Sequence, residues 1–382
     1  MILCDPENRA NLLPLVYTRP VADLRIGVTT IAEKWAAIYG KEMRIEVGAD
    51  YLTAKYPLPE HHHDQLVIMA NVLPSAELVG AINNLGPVQA LRTPQGKLIA
   101  YRTAPEVDVV FQGNVVTIDF LYDIFLHNGM AICDDFGRLT ACRKSQPLSA
   151  TNTLIGPADS LFIEEGAIVE GATLNTTNGP IYIGRHAVVM EGSCLRGPLA
   201  VCEHAQIMMG ARIYGDTTIG PWCKVGGEVN NVVFHSYSNK AHDGFLGNAV
   251  IGQWCNLGAG STASNLKNDY TPIRLWNYPA HRFLHTGLQF CGLMMGDHSK
   301  AGINTMFNTA TVLGVGVNVY GTGFPRNFVA SFQEGSTAGF SDVSMTRFFD
   351  TASRMMARRG IELSEEDRQV LNAIRNLAEQ YR

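Results

Sequence analysis

Aliphatic residues recur at every sixth position through the middle of the chain. Eight of them stand in one unbroken register: Ile183, Val189, Leu195, Val201, Ile207, Ile213, Ile219 and Val225. A period of six fits neither the roughly 3.6-residue turn of an α-helix nor the two-residue alternation of a β-strand. It is typical of a triangular solenoid, in which each hexad forms one short strand and one corner. The sequence therefore predicts a parallel β-helix, with three hexads per coil, from about Ile155 to Tyr320.

The hexad register breaks twice. The first break runs from Asn230 to Phe245, and the second is a longer excursion from Asn265 to Phe290 that is rich in aromatic and basic residues. Solenoid proteins usually carry their functional groups on insertions between repeats. Because about two coils at most separate the breaks, we expect them to meet on one face of the helix.

The segments on either side of the repeats have a different texture. Residues 1–150 mix strand-like apolar stretches with a helical pattern at Val28 to Tyr39, as an α/β domain does. Residues 346–382 combine Ala, Met, Leu, Glu and Arg at helical spacing. We therefore expect an α/β domain over 1–150, a β-helix over 151–330 and a helical tail over 331–382.

Charge and cysteine usage narrow the partners and the compartment. The net charge is −5, without a basic block that could follow a phosphate backbone, so nucleic acid is not expected as a partner. The eight cysteines include no CxxC pair, which favours reduced thiols and a cytoplasmic protein. The sequence shows no signal-peptide pattern and no apolar stretch as long as a membrane span, so no membrane partner is expected.

The first break and the hexads after it contain a motif. The segment NKAHDGFLGNAVIGQWCNLGAGSTASN, residues 239–265, resembles the acetyltransferase signature of the bifunctional bacterial enzymes that make UDP-N-acetylglucosamine. Two more stretches, NLLPLVYTRPVADLRIGVTTIAEKW at 11–35 and TGLQFCGLMMGDHSKAGINTMFNTATVLGV at 286–315, are similar to the alternative, Bacteroidetes-type form of that family. The resemblance covers essentially the whole chain. It implies a sugar nucleotidyltransferase-like α/β domain followed by a left-handed β-helix of hexapeptide repeats.

The resemblance also implies the reactions and the partners. One reaction is N-acetyl transfer from acetyl-CoA to an amino-sugar 1-phosphate, above all glucosamine 1-phosphate. The linked reaction is a sugar-1-phosphate nucleotidyl transfer that forms UDP-N-acetylglucosamine with Mg²⁺. A homotrimer is implied, with the acyl-CoA between neighbouring helices, and the flat faces of a solenoid provide surface for such packing.

His242 falls on the catalytic histidine of the family. An imidazole with a pKa near ~6.5 can accept the proton that a sugar amine loses when it attacks the thioester. The backbone N–H of Ala259, in the sequence LGAG, matches the group that stabilises the oxyanion in the family. These two residues are the predicted catalytic pair.

The residues that match substrate contacts of the family lie close to the same motif. They are Arg212 for the phosphate, Asn256 and Asn265 for the sugar, and Phe245 in place of a tyrosine.

Two positions depart from the family. Asn230, one eighteen-residue coil after Arg212, stands where a lysine is expected, and Leu266 stands where a tyrosine is expected. A sugar-phosphate pocket still needs cations. We predict that Lys240, Lys267 or Arg274 supplies the missing charge.

The N-terminal domain departs further. The phosphate-cradling GxGTR motif of ordinary sugar nucleotidyltransferases is absent, and TRPVADLRIG stands in its place. Arg19 and Arg25 are candidates for binding a triphosphate, and Asn71 stands about where the usual enzyme has a nucleotide- and metal-binding aspartate. Candidate Mg²⁺ ligands are Asp119 and Asp123. The domain is either catalytic through altered residues or a remnant that orients the β-helix.

Two other functions compete with acyl transfer. His186 and His204 are eighteen residues apart and therefore stack in adjacent coils, as in the zinc site of γ-class carbonic anhydrases on this fold. A metalloenzyme is thus one alternative. A non-catalytic scaffold that binds sugar nucleotides is the other.

Overall fold

The computed structural model describes residues 1–62 and 64–382. It consists of an N-terminal α/β domain, a left-handed β-solenoid and a short C-terminal helical region, as the sequence predicted. None of the helices within the described ranges combines the length and the hydropathy that a membrane span requires.

The N-terminal domain is built on one mixed six-stranded sheet. Its strands, in spatial order, are Arg44–Glu46, Ile2–Cys4, Leu66–Met69, Leu98–Arg102, Gln89–Arg92 and Val107–Val110. Three helices accompany the sheet: α1 (Ile31–Tyr39), α2 (Ala76–Asn83) and α3 (Leu121–Thr140). A small hairpin, Arg25–Ile26 with Thr29–Thr30, precedes α1. Thr30 and Glu33 form a capping box that fixes where α1 begins.

The solenoid has three faces of parallel strands. Face 1 contains Leu161–Ile163, Ile181–Ile183, Leu199–Val201, Thr217–Ile219, Met294–Met295, Val312–Leu313 and Phe328–Val329. Face 2 contains Ile168–Val169, Val188–Val189, Gln206–Ile207, Lys224–Val225, Asn239–Lys240, Asn256–Leu257, Lys300–Ala301, Asn318–Val319 and Gln333–Ser336. Face 3 contains Thr153–Ile155, Thr173–Asn175, Cys194–Arg196, Arg212–Ile213, Thr262–Ala263 and Met306–Phe307. Two longer strands, Glu228–Phe234 and Phe245–Ile251, belong to face 3 at their start and to face 1 at their end.

The eight aliphatic residues of the hexad register are all buried in the interior, as predicted. The first break has a different nature from the one expected. Instead of leaving the solenoid as a loop, it forms a shortened coil, in which Val225 pairs with Lys240 fifteen positions later. The second break does leave the solenoid, and it forms the hairpin Arg274–Asn277 with Arg282–His285.

The C-terminal region begins with α4 (Met345–Ala357) and continues with α5 (Glu365–Leu377). Before these helices, the strand Gly339–Asp342 pairs with Gln333–Ser336 and closes face 2. The last paired strands of face 2 thus lie after residue 330. The domain limits 1–150, 151–330 and 331–382 remain proposals.

A ladder of stacked rings follows the corner between faces 1 and 2. Its members share a positive φ of 55° to 62° and are His186, His204, Trp222, Tyr237, Trp254 and His298. Neighbouring ring centroids lie 4.1 to 6.5 Å apart, with nearly parallel planes. A positive φ costs a non-glycine residue on the order of 1 kcal/mol, and stacking offsets part of that cost. His186 and His204 therefore belong to a packing motif.

Face 1 carries the N-terminal domain on its outer surface. Ile132 of α3 packs against Phe162, Tyr182 and Ala200 of this face. At the far end, Arg19 forms a buried ion pair with Asp297 of the solenoid, and the Thr18 hydroxyl donates to the same carboxylate at 2.6 Å. A buried charge that loses its partner is strongly destabilising. This ion pair therefore joins the two halves of the chain.

We expect Asp297→Asn to lower the free energy of unfolding by about 3–5 kcal/mol, because it leaves the Arg19 guanidinium buried without a counter-charge. Urea denaturation followed by circular dichroism measures the change. Asp108→Asn is the matched control, because Asp108 pairs with Arg92 at the surface and its side chain is 60% exposed. An exposed pair contributes about 0–1 kcal/mol. Equal losses in the two variants would contradict the assignment.

Candidate active site

His242 lies at the corner between faces 2 and 3. It follows the strand Asn239–Lys240 and precedes the strand that begins at Phe245, and its side chain is exposed. Two hydrogen bonds fix the backbone of this corner: the Lys240 ammonium donates to the His242 carbonyl at 2.7 Å and to the Gly226 carbonyl at 3.1 Å. The imidazole is thus accessible to a ligand, while the backbone that carries it is fixed.

Ala259 occupies the equivalent position in the next coil. Asn256 pairs with Asn239, and the Gly260 N–H donates to the Asp243 carbonyl at 3.0 Å, which sets the two corners in register. The Ala259 N–H has no acceptor in the part of the chain that the structure describes. The structure therefore brings the predicted catalytic pair together and leaves both groups available.

The faces beside this corner hold three predicted substrate residues. On face 3, Phe245 pairs with Glu228, and Glu228 pairs with Arg212 in the coil before. On face 2, Asn256 is exposed immediately before the Ala259 corner. His242, Ala259 and these three residues form one surface cluster, which we name the corner site.

Glu228 is a member of the corner site that the sequence analysis missed. The chain needs sixteen residues, not eighteen, to return from Arg212 to the same place on face 3, because the corner at Gly226 and Gly227 is short. The carboxylate of Glu228 lies 3.6 Å from the Arg212 guanidinium. Asn230, which was expected beside Arg212, lies two positions further along the same strand than Glu228. The two consecutive glycines were the available signal for this change of register.

Lys240 corrects a prediction. It stands at an inward position of face 2, in register with Val225, and its side chain is 1% exposed. Burial lowers the pKa of its ammonium to about 8, and the Asp243 carboxylate opposes this shift. A lysine enclosed in the solenoid cannot supply the missing cation to a surface pocket, and it acts instead on the backbone that carries His242.

Asn265, Lys267 and Arg274 are not brought to the corner site. Asn265 lies at the corner between faces 3 and 1, where its Nδ2 donates to Asn248 Oδ1 at 2.8 Å. Lys267 and Arg274 line a separate cavity of about 550 Å³ beside Trp276. The second break therefore leaves the solenoid at a different corner from that of His242, so its cations do not reach the His242 corner, contrary to expectation.

Trp276 and Tyr278 anchor the second break. The Trp276 ring stacks on Phe328 with centroids 4.1 Å apart, and the Tyr278 ring meets Tyr17 of the N-terminal domain edge-on at 5.6 Å. Aromatic pairs of this kind add to the stability that burial alone provides. The excursion thus packs against the N-terminal domain as well as against the solenoid.

The predicted nucleotide residues of the N-terminal domain fall into two places. Arg19 and Arg25 line a cavity of about 320 Å³ between that domain, the solenoid and the C-terminal helices. Asn71 lies just past the carboxyl end of the strand Leu66–Met69, where its Nδ2 donates to Asp119 Oδ1 at 2.8 Å. The Asn71 Oδ1 is buried, and no donor for it occurs within the described ranges.

Asp119 and Asp123 do not fit a Mg²⁺ site. The oxygens of Asp119 already accept hydrogen bonds from four protein side chains: Asn8, Asn71, Lys97 and Thr117. Asp123 accepts the backbone N–H groups of Asp119 and Phe120, both at 2.8 Å, and caps α3. Structural hydrogen bonds therefore explain both carboxylates.

In the described part of the chain, no three His, Cys, Asp or Glu side chains converge as metal ligands. His186 and His204 therefore have no third ligand of these types beside them among those residues.

Two comparisons with known sequences found similar proteins. Residues 1–144 match the family described as "Sugar nucleotidyl transferase", which places the first part of the chain among transferases. A curated relative, the bifunctional protein GlmU of Trichodesmium erythraeum (strain IMS101), is 28% identical over 111 residues. That match covers 28% of this chain and about a fifth (20%) of the relative's length. The resemblance to a sugar nucleotidyltransferase with hexapeptide repeats is thus confirmed.

Three solved structures are also similar. The acetyltransferase domain of PglB from Neisseria gonorrhoeae is 10% identical and covers 90% of this chain and 98% of its own, with a TM-score of 0.24. The polysialic acid O-acetyltransferase OatWY is 15% identical, and the match covers 51% of this chain and 85% of that protein, with a TM-score of 0.21. The Arabidopsis UDP-N-acetylglucosamine acyltransferase is 13% identical, and the match covers 61% of this chain and 96% of that protein, with a TM-score of 0.19. At TM-scores this low, the likenesses carry no weight for the function of this chain.

The buried lysine makes stability depend on pH. The pKa of Lys240 is about 8 in the folded chain, against 10.5 for a free lysine, so between these values the unfolded chain binds more protons. Taken alone, Lys240 should therefore raise the free energy of unfolding as the pH increases through that window, by at most about 3 kcal/mol. Urea denaturation at pH 8 and pH 10 measures the change. Lys240→Met should show a smaller rise than the exposed control Lys144→Met, because both variants keep Lys34, whose pKa burial also lowers to about 8, and only the control keeps Lys240. Parallel curves for the two variants would refute the assignment.

Proposed function

We propose that the corner site transfers an acetyl group from acetyl-CoA to the amine of an amino-sugar 1-phosphate. Glucosamine 1-phosphate is the acceptor that we favour, because the signature around His242 resembles that of enzymes acting on it. One observation carries the proposal: an exposed imidazole stands one coil away from a backbone N–H that has no acceptor among the described residues. Acyl transfer needs both groups, a base and an oxyanion donor.

The proposed chemistry assigns one task to each group. The His242 imidazole accepts a proton from the sugar amine as the nitrogen attacks the thioester carbon. The negative charge that develops on the thioester oxygen is stabilised by the Ala259 N–H. The carbon–sulfur bond then breaks, and the thiolate of CoA takes up the proton. The products are the N-acetyl sugar phosphate and free CoA.

The acceptor is proposed to lie along face 3. The Arg212 side chain is 51% exposed and would bind the phosphate, while Phe245 and Asn256 would hold the sugar from either side of the corner. Glu228 lies between Arg212 and Phe245, and its carboxylate is suited to the hydroxyl groups or the ammonium of an amino sugar. With no lysine at position 230, Arg212 is the basic side chain to which we assign the phosphate.

For the N-terminal domain, we propose sugar-1-phosphate nucleotidyl transfer that forms UDP-N-acetylglucosamine. Its support is the family match over residues 1–144, together with the position of Asn71 at a carboxyl end of parallel strands, where α/β sheets bind ligands. Arg19 and Arg25, the predicted triphosphate ligands, line the separate 320 Å³ cavity, which does not include Asn71, so we assign them no part in this reaction. We expect the reaction to need Mg²⁺, but we do not assign Asp119 or Asp123 as ligands of the ion.

The assembly proposed is a cytoplasmic homotrimer with acyl-CoA between neighbouring helices. The proposal rests on the family resemblance and on the flat faces that the solenoid offers for packing. Met209 and Ile303, which are 70% and 71% exposed, lie at the same corner as His242 but in different coils. Light scattering decides the stoichiometry, and a mass of one chain, 41.7 kDa, would exclude the trimer.

Substitution of the base tests acetyl transfer. His242→Ala should lower kcat for acetylation of glucosamine 1-phosphate by about 10²–10⁴-fold, because proton removal from the amine becomes uncatalysed. CoA release from acetyl-CoA measures the rate. His186→Ala is the matched control, an exposed histidine at another corner, and it should leave kcat unchanged. Unchanged turnover in His242→Ala would remove the proposal, and a tightly bound zinc in the purified protein would favour the hydratase alternative.

Substitution of Asn71 tests nucleotidyl transfer. In a pyrophosphorylase assay with UTP or dTTP and N-acetylglucosamine 1-phosphate, we expect wild-type turnover to fall at least tenfold in Asn71→Ala. The reason is that this variant removes a buried amide whose oxygen has no donor among the described residues. Asn84→Ala, at the end of α2, is the control. A wild-type chain that releases no product from either nucleotide would show that the domain only orients the solenoid.

A further inference from the structure

The 320 Å³ cavity lies where three separate parts of the chain meet. The segment Thr18 to Thr30 forms one wall, and α4 and α5 form another. The third wall is the corner of the solenoid between faces 1 and 2, which carries the ladder of stacked rings. A cavity of this size is at the lower end of the roughly 300–1,000 Å³ that ligand sites occupy. It has room for a monosaccharide phosphate rather than for a complete nucleotide sugar.

Most charges in the cavity wall are already neutralised. Arg19 pairs with Asp297, and the Lys55 ammonium lies 2.7 Å from an oxygen of Asp367. His235 is uncharged, because burial lowers the pKa of its imidazole well below the ordinary value. Two charged side chains remain, Asp23 and Arg25, and they have opposite signs.

Asp23 has no cation within 4 Å among the residues that the structure describes. Its one side-chain hydrogen bond comes from the Tyr56 hydroxyl, at 2.9 Å. Burial raises the pKa of this carboxyl, although the Tyr56 hydroxyl and the more distant charges of Arg19 and Lys55 oppose the shift. A ligand ammonium would remove that penalty.

Arg25 carries the opposite charge to Asp23 and, within the described part of the chain, is also without an ion-pair partner. Its Nε donates to the His235 carbonyl at 3.2 Å and its Nη1 to the Val28 carbonyl, while its Nη2 has no acceptor within the described ranges. The residue is buried, and among the described residues no carboxylate oxygen lies within 4 Å of its guanidinium. Guanidinium groups in this situation bind phosphate well.

A third group in the wall is also unsatisfied. The Nδ1 atom of His298 is buried without a partner among the described residues, and burial lowers the pKa of this imidazole to about 3. Because that atom is enclosed by protein, the imidazole forms part of the wall and is not assigned a hydrogen bond to a ligand. The unpaired charges of the cavity thus correspond to one cation and one anion on a ligand.

We propose that this cavity is a second binding site for a small zwitterionic amino-sugar phosphate, whose ammonium meets Asp23 and whose phosphate meets Arg25. The choice of an amino-sugar phosphate among small zwitterions rests on the proposed function of the corner site. The site lies on a different corner of the solenoid from His242. A ligand held there contacts the N-terminal domain, the solenoid and the C-terminal helices together, so it should stabilise their association.

Calorimetric titration with glucosamine 1-phosphate tests the proposal. The titrated protein is the full chain with Arg212→Ala and His242→Ala, without acetyl-CoA, so that the corner site is disabled. We expect one saturable equivalent per chain and at least tenfold weaker binding when Asp23→Asn is added. Asp216→Asn is the control, because burial also raises the pKa of that carboxyl but it lies outside the cavity. Absence of saturable binding, or equal binding with Asp23→Asn, would overturn the proposal.

Two comparison ligands test the charge assignment without any substitution in the cavity. Glucose 1-phosphate lacks the amine and glucosamine lacks the phosphate, and each should bind at least tenfold more weakly than glucosamine 1-phosphate. Equal binding of either would overturn the zwitterion assignment, even if Asp23→Asn failed to fold. These titrations do not measure acetyl transfer. If the corner site proved inactive, binding in the cavity would still be tested, and if the cavity bound no ligand, the acetyl-transfer proposal would be unaffected.

Discussion

Parallel pairing between successive coils is the constraint on which the rest of the structure depends. Each coil satisfies its backbone through the coils before and after it, so the position of any side chain on a face is set by its pairing partner. His242 stands beside Ala259 for this reason, since Asn239 pairs with Asn256 three residues earlier in both coils. The chemistry of the corner site is therefore a property of strand register, and neither residue needs a loop of special shape.

The hexad period was sufficient to predict the solenoid and the residues that fill it, because an inward aliphatic position repeats in every strand. It could not predict where a corner shortens. Glu228 reaches the position beside Arg212 because its coil has sixteen residues, and the short corner includes Gly227, whose φ of +71° is easily adopted by glycine. Lys240 was misread for a related reason, since an inward position is expected to be apolar and a buried lysine is rare.

The site residues outside the motif were harder to predict because their partners are distant in sequence. Arg19 and Asp297 are 278 residues apart, and nothing local distinguishes a buried ion-pair arginine from a phosphate ligand. Asp119 shows the same problem, because its four donors come from separate segments of the N-terminal domain. Whether such a residue is structural or binds a ligand depends on hydrogen bonds to residues far away in the sequence. A sequence pattern shows only which residues are close together along the chain.

The unequal coils have an evolutionary consequence. Strand positions are fixed by pairing on both sides, whereas corners accept fifteen, sixteen or eighteen residues per coil without disturbing the interior. Insertions and deletions can therefore accumulate at corners while each face keeps its chemistry. Related chains aligned on a strict eighteen-residue period would have their face residues offset by two or three places, and apparent losses of function could be errors of alignment.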